Sequence, residues 1–193
     1  GLPQTSRVGD LDIYALPTLV QRTGKSLQEL LQVLGSQGGL LGLSGLSGDV
    51  RDLYEAATQG HKRAQLALDV FVSEVRRYLG SYLVELGGAD VIVFTGGIGE
   101  NQAELRSRIL AGLEELGIVL DPSANATARG ECPIHAANSR VQVWIIPTNE
   151  ELVVARQARE LLERLGQASA GSASVGAGRC CSGQAHRGKE KDH

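Results

Sequence analysis

The chain has 193 residues, of which 42% are hydrophobic and 21% charged, a composition typical of one folded domain of ordinary size. Its net charge of −3 excludes the strongly basic surface that most nucleic-acid-binding proteins carry. No apolar run approaches the roughly 18 residues that a membrane-spanning helix needs. We therefore expect neither nucleic acid nor a membrane as a partner.

The start of the chain and its cysteines bear on its origin. The sequence begins with Gly1 instead of Met and has no signal-peptide pattern, which predicts that it is part of a longer protein. Its three cysteines match neither the spacing of a zinc site nor a disulfide framework. A reducing, cytoplasmic compartment is therefore expected.

Helices are predicted throughout the first half of the chain. Ser26 and Glu29 have the spacing of a capping box ahead of a leucine-rich helix. A longer helix is predicted from about residue 61 to 86, where apolar residues recur every three or four positions. Between them, the glycines of residues 38–48 alternate with leucines and predict backbone packed tightly against another segment. Asp49 then begins a charged segment, where it could simply cap a helix.

Two strand–turn–helix units follow. Residues 91–94 are β-formers that are apolar on both faces, as expected of a buried parallel strand, and the glycine turn 95–101 leads from them into a helix. That helix is predicted to carry Leu105, Ile109, Leu113 and Leu116 on one side. Residues 141–146 and 150–165 repeat the pattern of strand and helix. Two such units predict an α/β fold with a small, incomplete and mostly parallel sheet flanked by helices.

The glycine turn is a candidate phosphate site. Glycines between a strand end and a helix start let the backbone approach a ligand, and the free amides of the helix N-terminus favour an anion. The turn is not a P-loop, because Glu100 and Asn101 stand where Lys and Ser or Thr are required, and it lacks the third glycine of a dinucleotide fingerprint. A ligand site and a merely tight turn both remain open.

Two neighbouring glutamates follow the last strand. Thr148 and Glu151 have capping-box spacing, so we interpret Glu151 as structural. Glu150 has no such local role and stands at the carboxyl end of a strand, where open α/β sheets bind ligands. It is a candidate metal ligand, although a carboxylate that only complements the helix dipole fits equally well.

Judged from its local sequence alone, Arg7 is predicted to be an exposed surface arginine and not a functional residue.

The last 28 residues differ in composition from the rest. Residues 166–193 hold almost no large apolar side chain and cannot offset the entropy of ordering themselves. We predict a folded domain over residues 1–165 and a disordered tail over 166–193.

Four segments, in order along residues 1 to about 162, resemble the C-terminal half of acetate kinases, members of the superfamily of acetate and sugar kinases, Hsc70 and actin. They are residues 6–12 (SRVGDLD), 42–52 (GLSGLSGDVRD), 94–101 (FTGGIGEN) and 146–152 (IPTNEEL). The resemblance implies an incomplete actin-like ATPase fold of the ribonuclease H-like type.

The resemblance also implies a reaction, in which ATP phosphorylates acetate to acetyl phosphate and ADP with the help of Mg²⁺. By this resemblance, Arg7 stabilises the transferring phosphoryl group and Glu150 binds magnesium. The residues implied to bind the nucleotide are Asp49, Val50, Arg51, Gly97, Ile98, Gly99, Glu100 and Asn101.

Two departures from the family pattern limit what the resemblance implies. Ser6 and Val8 replace the threonine and the small polar residue that usually flank the arginine. The family's first half, which supplies the acetate pocket, is absent from this sequence, so we expect a fragment that is inactive alone and belongs to a homodimeric enzyme. A propionate or butyrate kinase fragment, and a non-catalytic nucleotide-binding or dimerisation module, remain alternatives.

Overall fold

The computed structural model describes residues 1–173, except for the side chains of Glu150 and of residues 166–173. The chain divides into two units, Gly1–Thr148 and Asn149–His193. Within the described residues, no helix combines the length and the apolar character that crossing a membrane requires.

The first unit contains eight α-helices, one 3-10 turn and three short strands among its residues. The helices are α1 (Ala15–Thr23), α2 (Leu27–Ser36), α3 (Gly39–Ser44), α4 (Val50–Thr58), α5 (Lys62–Glu85), α6 (Gly96–Asn101), α7 (Ala103–Leu110) and α8 (Pro122–Thr127). The strands are β1 (Val91–Phe94), β2 (Cys132–Pro133) and β3 (Gln142–Ile145), and the 3-10 turn is Glu114–Leu116.

Local sequence rules place the starts of α2, α4 and α5 correctly. The Glu29 amide donates to Ser26 Oγ at 3.2 Å and the Ser26 amide donates to Glu29 Oε2 at 2.7 Å, so the predicted capping box begins α2. Asp49 caps α4 by accepting a hydrogen bond from the Arg51 amide at 2.8 Å. The long helix α5 has nearly its predicted bounds, with His61 as its N-cap residue.

The sheet is small and mixed. Its strand order is β1-β3-β2, with β1 and β3 parallel and Phe94 opposite Ile145. This confirms the predicted parallel pair, whereas the two-residue antiparallel strand β2 was not predicted. Helices α4, α5 and α7 pack with β3 around the core. Its largest fully buried apolar side chains are Leu40, Leu53, Leu68, Leu105, Ile118, Ile134, Val143 and Ile145.

The prediction that β1 is buried on both faces is wrong. Val91 and Val93 are 46% and 44% exposed, whereas Phe94 on the other face is buried. Strand β1 lies at the edge of the described sheet, and only the face with Ile92 and Phe94 packs against the core. Alternation of side chains between the two faces therefore decides the burial of each residue.

The helix predicted after the glycine turn is also different. The glycines themselves form the short helix α6, and α7 ends at Leu110 because Ala111 leaves the helical conformation, with ψ 133°. Leu105 and Ile109 are buried as predicted. Leu116 lies outside α7 in the 3-10 turn and is 53% exposed, so the predicted apolar stripe stops one turn early.

The second unit begins with helix α9 (Glu150–Ala173). The Leu152 amide donates to Asn149 Oδ1 at 2.9 Å, so Asn149 caps this helix and the predicted capping box of Thr148 and Glu151 is wrong. Helix α9 extends past the predicted boundary at Leu165 to Ala173. Disorder of the tail stays a prediction, since residues 174–193 lie outside the described residues.

Candidate functional site

A cavity of about 390 Å³ lies where the N-terminus of α4 faces helix α6. It brings together two of the segments that the sequence singled out, residues 49–51 and 97–101, although some forty-five residues separate them along the chain. We refer to it as the nucleotide cavity, after the two segments that the resemblance predicts to bind a nucleotide. Its lining residues are Thr5, Gly48, Asp49, Val50, Arg51, Gly97, Ile98, Asn101 and Gln102.

On the α4 side, Asp49 and Arg51 form a close ion pair. Arg51 Nη2 donates to Asp49 Oδ2 at 2.6 Å and Arg51 Nε donates to Asp49 Oδ1 at 3.1 Å. Hydrogen bonds from the Arg51 side chain and amide lower the pKa of Asp49 to about 2, so this carboxyl group is ionised at neutral pH. The Arg51 side chain is 77% exposed, which leaves a face of its planar guanidinium open to a ligand.

On the other side, α6 presents its N-terminus. Thr95 is extended, with φ −146° and ψ 171°, and Gly96 turns the chain into the helix with a φ of +72°. The Thr95 side chain makes no capping hydrogen bond. The first amides of α6 are therefore suited to bind the oxygens of an anion such as a phosphate.

The far end of α6 is fixed by side chains. Asn101 Nδ2 donates to the Gly97 carbonyl at 2.9 Å, and the Thr148 amide donates to Glu100 Oε1 at 3.1 Å. Of the predicted turn residues, Gly97, Ile98 and Asn101 line the nucleotide cavity. Gly99 instead packs against the end of β1, since an added Cβ would lie 3.5 Å from the Phe94 Cβ. Gly99 and Glu100 therefore shape the turn from outside the cavity.

Arg106 is a functional candidate that sequence reasoning missed. It is 2% exposed, and its Nη1 donates to the carbonyls of Gly99 and Glu100 at 2.8 and 2.9 Å. Its Nε and Nη2 donate to the Oδ1 and the carbonyl of the buried Asn125 at 2.7 and 3.0 Å. Burial lowers the pKa of this guanidinium. The sequence could have indicated this residue, because Arg106 is a charged residue next to Leu105 on the apolar face of α7 that also carries Ile109.

Arg7 lies outside the nucleotide cavity and is exposed. Its segment is held against α3 by backbone hydrogen bonds, in which the Gly38 amide donates to the Ser6 carbonyl at 2.8 Å and the Leu40 amide donates to the Gln4 carbonyl at 2.9 Å. The nearest part of this segment that lines the cavity is Thr5. The segment that contains Arg7 therefore contributes Thr5 to the lining of the cavity, whereas Arg7 itself lies outside it.

The structure leaves the predicted metal ligand open. Glu150 is the first residue of α9 in the second unit, and its side chain lies outside the described residues. Among the side chains that are described, no group of three or more acidic, histidine or cysteine residues could hold a metal ion.

The chain is similar to known carboxylate kinases over most of its length. Residues 1–156 match the model of the Acetokinase family. Acetate kinase of Staphylococcus carnosus is 46% identical over 159 residues, which are 82% of this chain and 40% of that relative. The crystal structure of Porphyromonas gingivalis acetate kinase superposes with a TM-score of 0.77 at 36% identity, over 84% of this chain and 41% of that one.

A third similarity is to the propionate kinase of Francisella tularensis, with a TM-score of 0.73 and 35% identity over 80% of this chain and 39% of that one. The chain thus spans about two fifths of the length of these relatives. The shared architecture confirms the fold class expected from the sequence, an incomplete actin-like α/β domain. The match over residues 1–156 places the chain in the acetokinase family.

Proposed function

We propose that this chain is the nucleotide-binding part of a kinase that transfers the γ-phosphoryl group of ATP to acetate, forming acetyl phosphate and ADP. One observation carries the proposal. The family's nucleotide-binding segments, residues 49–51 and 97–101, meet in one cavity, although nothing in the local sequence requires them to do so. Membership of the acetokinase family supports a carboxylate as the acceptor.

In this proposal the two sides of the nucleotide cavity bind different parts of ATP. The amides of Gly97 and Ile98, at the N-terminus of α6, bind phosphate oxygens. The exposed guanidinium of Arg51, held in place by Asp49, packs against the adenosine. Arg106 holds the carbonyls at the far end of α6, so that the amides are already oriented when the nucleotide arrives. Preorganised donors of this kind are the main means of catalysing phosphoryl transfer.

Two charged groups complete the proposed reaction. Mg²⁺ is bound by oxygen ligands, often one or two carboxylates together with substrate phosphates, and Glu150 offers such a carboxylate. A bound Mg²⁺ would neutralise phosphate charge, and Arg7 would stabilise the transferring phosphoryl group. The acceptor is a short-chain carboxylate. Acetate is preferred to propionate in this proposal, and the complete enzyme is a cytoplasmic homodimer.

The proposal is tested by titrating the chain with ATP in a calorimeter, with and without Mg²⁺. We expect a micromolar to millimolar dissociation constant that weakens on replacing Arg51 with Gln but not on replacing Arg22, an arginine of α1 outside the cavity. Glu150→Gln should remove the dependence on Mg²⁺, whereas Glu151→Gln should leave it. Absence of ATP binding to the unaltered chain would contradict the nucleotide site, and equal behaviour of both glutamate variants would contradict the metal assignment.

A further inference from the structure

A second cavity, also of about 390 Å³, lies between helices α7 and α8 and the end of β3. We refer to it as the arginine cavity, because Arg106 of α7 and Arg129, which follows α8, both line it. Its other polar lining residues are Glu100, Asn101 and Asn125. Only Asn101 also lines the nucleotide cavity, so the two cavities are distinct. The volume is near the lower end of the range of about 300 to 1,000 Å³ for small-molecule sites.

The wall of this cavity carries a buried positive charge. The four hydrogen bonds of the Arg106 guanidinium all end on uncharged carbonyl or amide oxygens. A guanidinium has five N–H donors, so one of them, at Nη2, has no acceptor among the described residues. No carboxylate of the described side chains forms an ion pair with Arg106. A buried charge without a counter-ion is costly, and an anion in the cavity would offset that cost.

Asn125 fixes this guanidinium in place. The Asn125 side chain is buried, and its Nδ2 donates to the Ala103 carbonyl at 2.9 Å and to Ser107 Oγ at 3.0 Å. Its Oδ1 accepts a hydrogen bond from Arg106 Nε at 2.7 Å. Because both side chains are already ordered, a ligand that meets this charge does not bear the entropic cost of fixing the guanidinium.

Arg129 adds a second guanidinium, which is exposed. Its Nη1 donates to the Ala128 carbonyl at 2.7 Å, whereas its Nε and Nη2 have no hydrogen-bond partner in the described part of the chain. It also forms no ion pair with the side chains described there. The planar donors of a guanidinium match the oxygens of a phosphate or a carboxylate. Arg129 is therefore available to bind such a group.

The charges that line the arginine cavity favour an anion. Glu100 is the one acidic residue among the described residues that line it, and its Oε1 already accepts a hydrogen bond from the Thr148 amide at 3.1 Å. Two arginines and one glutamate leave a net charge of +1. Glu104 and Glu131 are close in the sequence, but neither lines the cavity.

We propose that the arginine cavity is an anion-binding site, which holds the phosphate or carboxylate group of a small molecule between Arg106 and Arg129. Arg129 donates hydrogen bonds to the oxygens of this group, and the buried charge of Arg106 attracts the anion from the cavity wall. Phosphates and carboxylates share the oxygen acceptors and the negative charge that these arginines recognise. The site is separate from the proposed nucleotide site, since neither arginine lines the nucleotide cavity.

The site is tested by thermal unfolding of the full chain in increasing concentrations of inorganic phosphate and, separately, of succinate. A ligand of the folded state raises the melting temperature by mass action, and sodium chloride keeps the ionic strength constant. We expect a saturable rise with at least one of the two anions. Arg129→Gln should weaken the apparent affinity by about tenfold or more, because charge-assisted hydrogen bonds are lost. Arg129 is exposed, so we expect this variant to fold.

Two control variants locate the site. Arg22→Gln removes an exposed arginine of α1 that lines neither cavity, and Arg51→Gln removes the arginine of the nucleotide cavity. Both should keep the affinity of the unaltered chain. Saturation by phosphate alone would identify the bound group as a phosphate, and saturation by succinate alone would identify it as a carboxylate.

Three results would overturn the site. The first is a melting temperature that neither anion raises beyond the effect of sodium chloride. The second is the same apparent affinity in Arg129→Gln and in the unaltered chain. The third is a loss of affinity in Arg51→Gln as large as the loss in Arg129→Gln, which would assign the anion to the nucleotide cavity or to general surface charge.

Discussion

At the scale of single residues, Arg106 has the most demanding environment. A buried guanidinium is costly unless its donors are satisfied, and here they bond to carbonyl and amide oxygens of Gly99, Glu100 and Asn125. None of these oxygens carries a charge, so the arrangement serves to hold backbone in place. The residue thereby links the core at α7 to the turn that lines the nucleotide cavity.

Arg106→Leu should destabilise the chain by about 2 to 4 kcal/mol, because the buried carbonyls lose their donors. Arg108, two residues along α7, is the control. Its side chain is 25% exposed and pairs with the half-exposed Asp69, so Arg108→Leu should cost under about 1 kcal/mol. Urea unfolding measures both. An equal loss in the two variants would mean that the hydrogen bonds of Arg106 add nothing to what any arginine of α7 contributes.

A second residue-scale prediction concerns acid. The folded pKa of Asp49 is about 2, below the value of 3.8 for a free aspartate side chain. Its carboxylate therefore stabilises the fold above about pH 4, and this contribution disappears as the pH falls through the folded pKa. Asp49→Asn should lower the urea midpoint at neutral pH and make it less sensitive to pH between the two pKa values. If the urea midpoints of the unaltered chain and of Asp49→Asn changed with pH by the same amount, the prediction would be wrong.

At the scale of elements, the sequence predicted those features of helices and strands that depend only on residues close together in the chain. The capping box of Ser26 and the parallel strand β1 needed only sequence spacing and apolar pattern. The end of α7 at Leu110 and the cap at Asn149 each depend on the conformation of a single residue, and several neighbouring residues were equally good candidates. The meeting of residues 49–51 with 97–101 depends on packing along α5, which no local pattern contains.

The N-terminal segment packs closely on α3, so we expect replacement of two glycines by alanine to change the stability of the chain in opposite directions. Gly39 has a φ of +57°, and an added Cβ would lie 2.6 Å from the Arg7 carbonyl oxygen. Gly39→Ala should therefore destabilise the chain by about 1 to 3 kcal/mol. Gly35, in α2, has open space around it, so Gly35→Ala should stabilise by roughly 0.5 to 1 kcal/mol. Thermal melting compares them, and a shift of the same sign in both would refute the close packing.

At the scale of the whole molecule, two of the segments that the sequence singled out share one cavity, whereas Arg7 lies outside it. Asp49, Arg51 and Gly97 line that cavity, and their role in binding a nucleotide stays a prediction. Arg7 is exposed and outside that cavity. A single folded domain can position all the residues that contact one ligand. A residue that stabilises the transferring phosphoryl group must also be positioned relative to the acceptor. The chain spans about two fifths of the length of its relatives.

Because Arg7 lies outside the cavity that Asp49 and Arg51 line, we expect the isolated chain to bind ATP without using it to phosphorylate acetate. Phosphoryl transfer needs acceptor and donor to be aligned, and a misplacement of about 1 Å can already cost on the order of a hundredfold in rate. We therefore expect a chain that matches 40% of a relative's length to bind the nucleotide and to leave the carboxylate unaligned. The measurement is acetyl phosphate formation by purified chain, with Arg7→Ala beside it to detect a contaminating kinase. Turnover that rises with the amount of chain and falls in the Arg7 variant would show that these residues suffice for catalysis, contrary to the proposal.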